Sequence, residues 1–525
     1  MSDLPVETLP ELLRQRAKDA PDKPFLFLKD QVWTRKELDL ASDAIARKLK
    51  GLQIKTGERA ALILPNGPEF IIHFFGILKA GGIVVPVNTA LKEEEISFIL
   101  KDSGASVLLI GSEHKASGNP FKHIPTLKTA LNVPLGENKS FWLELGPAFL
   151  AKACRRFSGN GFRLRPASNS PLPDSATLIY TSGTTGFPKG AELTHRNYLF
   201  DVEKFVAATQ MNESDRFLCF LPLFHVNAQV VTLLSPLYCG GAMVLMDKFS
   251  PKEFFETLSA KKATAFSGVP SVYSVLLGIP ESANYDLSSL RFCICGAAPM
   301  PVEIFERFEK KFNAYILEGY GLSEGTCVSS INPPPPQKRK IGSIGLPLNH
   351  QEMKILDAHG GELPRGETGE IAVKGENVMK GYWNNPEVTA KTIKNGWLYT
   401  GDLGYQDQDG FFFIVGRSKE MIIRGGENIY PKEVEEALYR HPAILEAAVI
   451  GLPNERWGEE VAAFVVLKEG QGLSAKEIRE FIKDKIADYK IPRRIEIVLA
   501  LPKTATGKIQ KLKLRAEIMS RERLK

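Results

Sequence analysis

Apolar and polar positions follow a repeating order through much of the chain. "ERAALILPN" is a short apolar run, and "PEFIIHFFGILKAG" after it has helical spacing. "IVVPVN", "KEEEISFILKDSG" and "SVLLIG" continue the alternation of strand-like and helical segments, and the helices are expected to stop at Gly81 and Gly104. The pattern returns in "ATAFSGVPSVYSVLLG" and in "LRFCICGAAPMPVEIFERFEKKF". Such βαβα order predicts largely parallel sheets with helical layers. No short-period repeat is present.

Two stretches break this texture. Residues 111–175 are rich in Gly, Pro, Ser and Lys, and read as a surface excursion with short elements. "NPPPPQKRK", at 332–340, reads as an exposed loop whose basic run is a solvated surface. From about residue 341, "GEIAVKG", "WLYTGDLGYQDQDGFFFIVGR" and "EMIIRGGENIY" predict short strands joined by Gly/Asp turns. A boundary is expected near Arg417, Ser418 and Lys419. Beyond it the order reads β-β-α-β-β-α, with helices in "YPKEVEEALYRHP" and "SAKEIREFIKDKI". The fold class is therefore α/β. A large N-terminal domain (1–417) of parallel α/β layers plus a β-rich subdomain precedes a small α+β C-terminal domain (418–525).

Composition narrows the picture. A chain of 525 residues predicts two or more domains. Its 43% hydrophobic and 24% charged content are ordinary for a globular protein. The net charge of +6 is mild over this length and argues against a nucleic-acid partner. Cys154, Cys219, Cys239, Cys293, Cys295 and Cys327 form no CxxC pair and read as reduced core residues. The histidines show no metal spacing. The opening "MSDLPVETLPELL" is charged from residue 3 and lacks an apolar signal core, so a cytoplasmic location is expected. Cys219 to Met246 carries no charge, yet Pro222, His225, Asn227, Gln229, Pro236 and Gly240-Gly241 interrupt it. It reads as the buried strand-helix-strand wall of a pocket rather than a membrane span.

"YTSGTTGFPKG" is the densest chemical signal. Thr181, Ser182, Thr184 and Thr185 surround Gly183 and Gly186, and Lys189 follows. The stretch is not a Walker A loop, because Pro188 precedes Lys189 and no Ser or Thr follows it. Its chemistry still suits phosphate. Gly-rich turns present backbone N–H groups to anions, hydroxyls donate, and a lysine adds charge.

This stretch closely resembles the signature of the adenylate-forming superfamily, which holds acyl-CoA synthetases, luciferases and nonribosomal adenylation domains. "GYGLSE", "YTGDLG", "GRSKEMIIRGGENIYP" and "PKTATGKIQK" follow in that family's order, so the resemblance covers nearly the whole chain. It implies a two-step ligase. A carboxylate attacks the α-phosphate of ATP, pyrophosphate leaves, and a thiol then attacks the acyl-adenylate.

The resemblance also implies roles. Thr181, Ser182, Gly183, Thr184, Thr185 and Lys189 would grip the β- and γ-phosphates and stabilise departing pyrophosphate. Glu324 would hold Mg²⁺, a hard cation suited to carboxylate and phosphate oxygens. Tyr320 would lie against adenine, with Gly296, Ala297 and Ala298 lining the other side, and Glu318, Gly319, Gly321 and Ser323 belong to the same nucleotide pocket. Asp402 would accept the ribose hydroxyls, with Arg417 nearby. Lys508 would bridge the incoming carboxylate and the α-phosphate, which repel each other. Because Lys508 lies far beyond the expected boundary, the C-terminal domain must move, with Lys419 at the hinge. In the second state Gly425, Gly426 and Glu427 would replace Lys508, Gly426 leaving room for the pantetheine thiol. Trp457 would either stack on the CoA adenine or serve as a core residue.

"LPLFHVNAQVV" matches the family's acyl-pocket segment. His225 would form a gate beside the carboxylate, and Asn227, Val231, Ala298, Gly321, Cys327 and Val328 would line the pocket; His195 is read as structural. The wall is mainly small and apolar, which suits a fatty or aryl acid, while Asn227 points toward a short or hydroxylated one. Glu318 stands where dicarboxylate-specific relatives place arginine, which argues against malonate. The partners are thus a small carboxylic acid, ATP with Mg²⁺, and CoA. An enzyme loading a carrier protein is the alternative. Peripheral contact with a membrane and the choice between monomer and homodimer stay open.

Overall fold

The computed structural model describes residues 5–112, 121, 123–136, 139–143, 172–181, 188–298, 300–504 and 507–523. The chain forms two compact units. One comprises Met1–Ser267, Leu322–Val328 and Gly375–Lys394; the other comprises Gly268–Gly321, Ser329–Lys374 and Asn395–Lys525.

The first unit holds a seven-stranded sheet. Its order is Gly381–Tyr382, Lys189–Thr194, Ser175–Thr181, Ile83–Pro86, Arg59–Ile63, Val107–Gly111 and Thr129–Val133. From Ser175–Thr181 onward neighbours are parallel, whereas the first two strands pair antiparallel. The alternating pattern is thus realised. The helix Pro68–Lys79 is buried along its whole length, and Glu93–Ser103 ends at Gly104, whose φ of 61° is the left-handed cap a glycine takes most readily. The excursion also contributes Thr129–Val133 as an edge strand, paired from Val107↔Thr129 to Gly111↔Val133. Polar Thr129 and Asn132 hide that strand from a hydrophobic pattern.

A second sheet of this unit runs Ala265–Gly268, Arg216–Cys219, Ala242–Leu245, Pro24–Leu28 and Gln31–Thr34, parallel except for its last hairpin. The charge-free stretch has the expected buried strand-helix-strand order: it begins at the end of the strand Arg216–Cys219 and continues through a π-helix Ala228–Leu234, the helix Ser235–Cys239 and the strand Ala242–Leu245. Every residue of the π-helix is buried. Among the described residues no helix is long and apolar enough to cross a membrane. Cys219, Cys239, Cys293, Cys295 and Cys327 are buried free thiols, and Cys154 lies outside the described residues.

In the second unit the strands Phe292–Cys295 and Tyr315–Tyr320 run parallel. An antiparallel sheet follows, ordered Glu352–Leu356, Gly369–Lys374, Trp397–Gln406 and Phe412–Arg417. The basic run is neutralised by acids: Lys338 by Asp409 at 2.8 Å, Arg339 by Glu309 at 2.6 Å, and Lys340 by Asp407.

Beyond Arg417 the hairpin Ile422–Arg424/Glu427–Ile429, the helix Pro431–Tyr439, the long hairpin Ile444–Asn454/Gly458–Leu467 and the helix Ala475–Lys483 reproduce the expected order. Two elements extend it, the strand Arg494–Ile497 and the helix Lys511–Arg523. Period-2 alternation divides the long hairpin into two faces. Ala447, Val449, Val461, Ala463 and Val465 pack with Val434, Leu438, Ile478 and Ile482. Ala448, Ile450, Ala462, Phe464 and Val466 pack with Leu514 and Ile518. Those last two are the helix's buried anchors, and burying each contributes roughly 1.5–3 kcal/mol. Two anchors in a lysine- and arginine-rich tail are too sparse for sequence periodicity to reveal.

Candidate active site

The phosphate-type segment is the connection of a β-hairpin. Thr181 ends one strand, Lys189 opens the next, and the two face each other in antiparallel register. Ser182, Gly183, Thr184, Thr185 and Gly186, between them, lie outside the described residues. Glu324 sits on the 3₁₀ turn Ser323–Gly325, and its carbonyl accepts from the Met379 N–H at 2.8 Å. Its Oε1 accepts the Thr181 hydroxyl at 3.4 Å and the Tyr382 hydroxyl at 2.8 Å. The Lys189 ammonium lies 5.3 Å from the centre of the Tyr382 ring, a cation–π distance. Tyr382 therefore ties Glu324 to Lys189, and nothing in the residue spacing announced it.

Among the described residues Oε2 of Glu324 makes no hydrogen bond, and the residue is only half-buried. A free, hard carboxylate oxygen fits Mg²⁺, which is commonly held by one or two carboxylates together with substrate phosphates.

The second unit brings together residues expected to bind the nucleotide. Asp402 faces Arg417 across antiparallel strands and accepts its Nε–H at 2.7 Å through Oδ1. Through Oδ2 it accepts the Tyr320 hydroxyl, also at 2.7 Å. Burial, and then the Asp402 charge, push the Tyr320 phenol well above its ordinary pKa, so it stays a donor. Lys508 belongs to a tight loop in which Gly507 N–H donates to the Thr504 carbonyl at 2.9 Å and Lys508 N–H to the Thr504 hydroxyl at 3.1 Å. Burial, followed by repulsion from Arg417, lowers the Lys508 pKa, while Asp402 and Glu420 oppose the shift. The structure therefore brings Lys508 into the electrostatic reach of Asp402 and Arg417.

Gly296, Ala297 and Ala298 follow the strand Phe292–Cys295. Ala297 has a φ of 65°, a conformation that costs a non-glycine residue about 1 kcal/mol or more. A Cβ on Gly319 would come 3.1 Å from the Ser330 carbonyl, a tight approach between the paired strands. Glu318 is fully buried. Met300 N–H donates to its Oε1 at 3.1 Å, and Oε2 has no partner among the described residues. Burial raises its pKa to about 7, with Lys432 opposing and Glu436 reinforcing the shift.

Of the residues expected to line the acyl pocket, His225 and Asn227 are half-buried, whereas Val231, Cys327 and Val328 are buried. Burial pushes the His225 imidazole down to about 4, so it is neutral at physiological pH. His195 is buried and accepts the Leu9 N–H at 3.4 Å. Ala298 and Gly321 belong to the second unit.

Lys419 lies in the exposed turn after Arg417. Gly425 and Gly426 have φ values of 60° and 90°, the left-handed pair that closes the hairpin before Glu427. A Cβ on Gly425 would meet Trp457 Cε3 at 2.8 Å, so glycine is required where the indole packs. The same indole carries the guanidinium groups of Arg424 at 4.8 Å and Arg456 at 4.7 Å.

Comparison with known proteins places this arrangement. The family model described as AMP-binding enzyme matches residues 13–383, and that described as AMP-binding enzyme C-terminal domain matches residues 433–508. A long-chain-fatty-acid–CoA ligase of Bacillus subtilis (strain 168) is 38% identical, covering 98% of this chain and 95% of its own. A feruloyl-CoA synthase of an Amycolatopsis species is 35% identical over 95% of this chain and 97% of its own. The crystal structure of the anthranilate CoA ligase AuaEII with anthranoyl-AMP superposes with a TM-score of 0.87 at 31% identity, covering 98% of both chains. The chain belongs to the AMP-binding enzyme family, the adenylate-forming ligases. Within it, the chain is an acid–CoA ligase.

Proposed function

We propose that this ligase joins a fatty or aryl carboxylic acid to CoA in two half-reactions. The acid's carboxylate attacks the α-phosphorus of ATP, the bond to the β-phosphate oxygen breaks, and acyl-AMP and pyrophosphate form. The CoA sulfur then attacks the acyl carbon, its proton is lost, and AMP leaves.

The observation that carries this reading is the cluster of Tyr320, Asp402, Arg417 and Lys508. The Asp402 oxygens keep lone pairs for the ribose hydroxyls after binding Tyr320 and Arg417. The Lys508 ammonium supplies the charge that lets a carboxylate approach a phosphate. Thr181, Ser182, Gly183, Thr184, Thr185 and Lys189 hold the β- and γ-phosphates, and Glu324, fixed by Tyr382, holds the magnesium. When bound, Mg²⁺ neutralises charge on the phosphate oxygens.

The boundary between an N-terminal domain (1–417) and a mobile C-terminal domain (418–525) is part of the proposal. Its support is the pair of cores on the long hairpin, whose members all lie between Ile422 and Met519. Lys419, in its exposed turn, is the hinge. Rotation there exchanges Lys508 for Gly425, Gly426 and Glu427, and the Trp457 indole then faces the CoA nucleotide. Buried free thiols favour a reducing compartment such as the cytoplasm. The enzyme acts as a monomer or homodimer.

Pyrophosphate release across a panel of carboxylic acids, with and without CoA, tests the reading. Acid-dependent pyrophosphate release and CoA-dependent acyl-CoA formation are expected. Adenylation that ignores CoA but responds to a carrier protein would replace the proposal with a carrier-loading enzyme.

A further inference from the structure

The mainly apolar acyl segment carries a polar device beside its π-helix. Asn227 directly precedes the π-helix Ala228–Leu234. Such wide turns are frequent at functional sites because they re-aim side chains that a regular helix would point elsewhere. Ser267, on the strand Ala265–Gly268, is 1% exposed, and its hydroxyl donates to Asn227 Oδ1 at 3.0 Å. Among the described residues the other end of the Asn227 carboxamide has no hydrogen-bond partner. Turning the amide over changes nothing in this balance. A serine hydroxyl donates or accepts equally well, so one end is held and the opposite polar atom is presented. Of the other residues assigned to the pocket, Val231, Cys327 and Val328 are buried and offer an acyl chain no polar side-chain partner beyond a thiol, while the half-buried His225 imidazole is the one expected beside the carboxylate.

A hydrocarbon tail laid against this carboxamide would strip its water and return no hydrogen bond, which is the costly arrangement. A tail carrying an oxygen at that point would satisfy it. We infer that Asn227, positioned by Ser267, determines specificity, and that the acid carries a hydroxyl or carbonyl oxygen on the part of its chain lying against the π-helix. The substrate is then an oxygen-substituted fatty or aryl acid rather than a plain hydrocarbon one. This rests on the acid–CoA ligase reading and on the placement of the acyl pocket at this segment.

The test compares kcat/KM for pyrophosphate release on matched acids that share a carbon skeleton and differ only in one hydroxyl or oxo group. Wild-type enzyme is expected to favour the oxygenated member of at least one pair by about 10-fold or more, because a site built to hydrogen-bond rejects the analogue that cannot. Asn227→Leu is expected to reverse that preference. Ser267→Ala is expected to shrink it and Ser267→Thr to retain it. The ratio between two acids on one preparation does not depend on how much enzyme is folded, so a merely destabilised variant leaves it unmoved. A wild-type preference for the unsubstituted acid in every pair, or an unchanged ratio in Asn227→Leu, overturns the inference. Absence of pyrophosphate release with every acid would instead overturn the ligase reading beneath it.

Discussion

Tyr320 and Asp402, 82 residues apart in sequence, meet at 2.7 Å, and the same carboxylate holds Arg417 through its other oxygen. The phenol, carboxylate and guanidinium therefore orient one another before any nucleotide arrives. Tyr320→Phe keeps the ring and removes one hydrogen bond worth about 1 kcal/mol net, more when the acceptor is charged. The expected outcome is a KM for ATP raised roughly 5- to 10-fold with the fold retained. Initial rates of pyrophosphate release against ATP concentration check it, and an unchanged KM would show that this bond does not orient Asp402 for the nucleotide.

Lys508 is proposed to act in adenylation alone. Lys508→Ala is expected to abolish adenylate formation while thioesterification of supplied acyl-adenylate survives. Single-turnover measurement of each step decides this, and equal loss of both would count against the rotation of the C-terminal domain.

The same lysine sets an alkaline limit. Burial and Arg417 lower its pKa, so it loses its charge at a lower pH than an exposed lysine does. The adenylation rate should fall on the alkaline side while the thioester step follows its own profile. Lys508→Arg, whose charge persists, should move the alkaline limb of whatever activity remains to higher pH.

Tyr382 steadies the carboxylate proposed to hold magnesium. Tyr382→Phe removes the 2.8 Å hydrogen bond to Glu324 but keeps the ring beneath Lys189. The Mg²⁺ concentration giving half-maximal activity should rise by about 10-fold, within the range for losing an orienting partner of a metal ligand. A magnesium titration at saturating ATP and acid measures it, and an unmoved midpoint would leave Tyr382 a packing residue.

Glu318 links stability to pH. Its folded pKa of about 7 lies above the ordinary 4.5, so the native state binds the proton more tightly than the unfolded chain. Stability from this group is complete below about pH 4.5 and is lost as pH rises through about 7, a change on the order of 3 kcal/mol. Glu318→Gln keeps an acceptor for the Met300 N–H without the charge. Its Tm should therefore change less than that of the wild type between pH 6 and pH 8. Parallel Tm shifts in the two proteins would refute the assignment.

The sequence by itself determined the alternation of strands and helices, the glycine stops at Gly81 and Gly104, and the chemistry of the phosphate-type segment. Each of these is local: periodicity, left-handed backbone and side-chain type are written within a few residues of one another. The order of the C-terminal elements was legible for the same reason, up to the helix Lys511–Arg523, whose anchors Leu514 and Ile518 are too few to show. Only the tertiary structure decided which side chains meet. Tyr382 reaches Glu324 because a two-residue strand pairs beside the hairpin. Ser267 reaches Asn227 because a strand end lies beside a π-helix, and neither the wide turn nor the pairing has a sequence period. Glu318 reads as one more nucleotide-pocket residue, yet burial makes it a titrating group near neutrality. Hydrogen-bond partners and desolvation are set by packing between distant segments, which no local pattern carries.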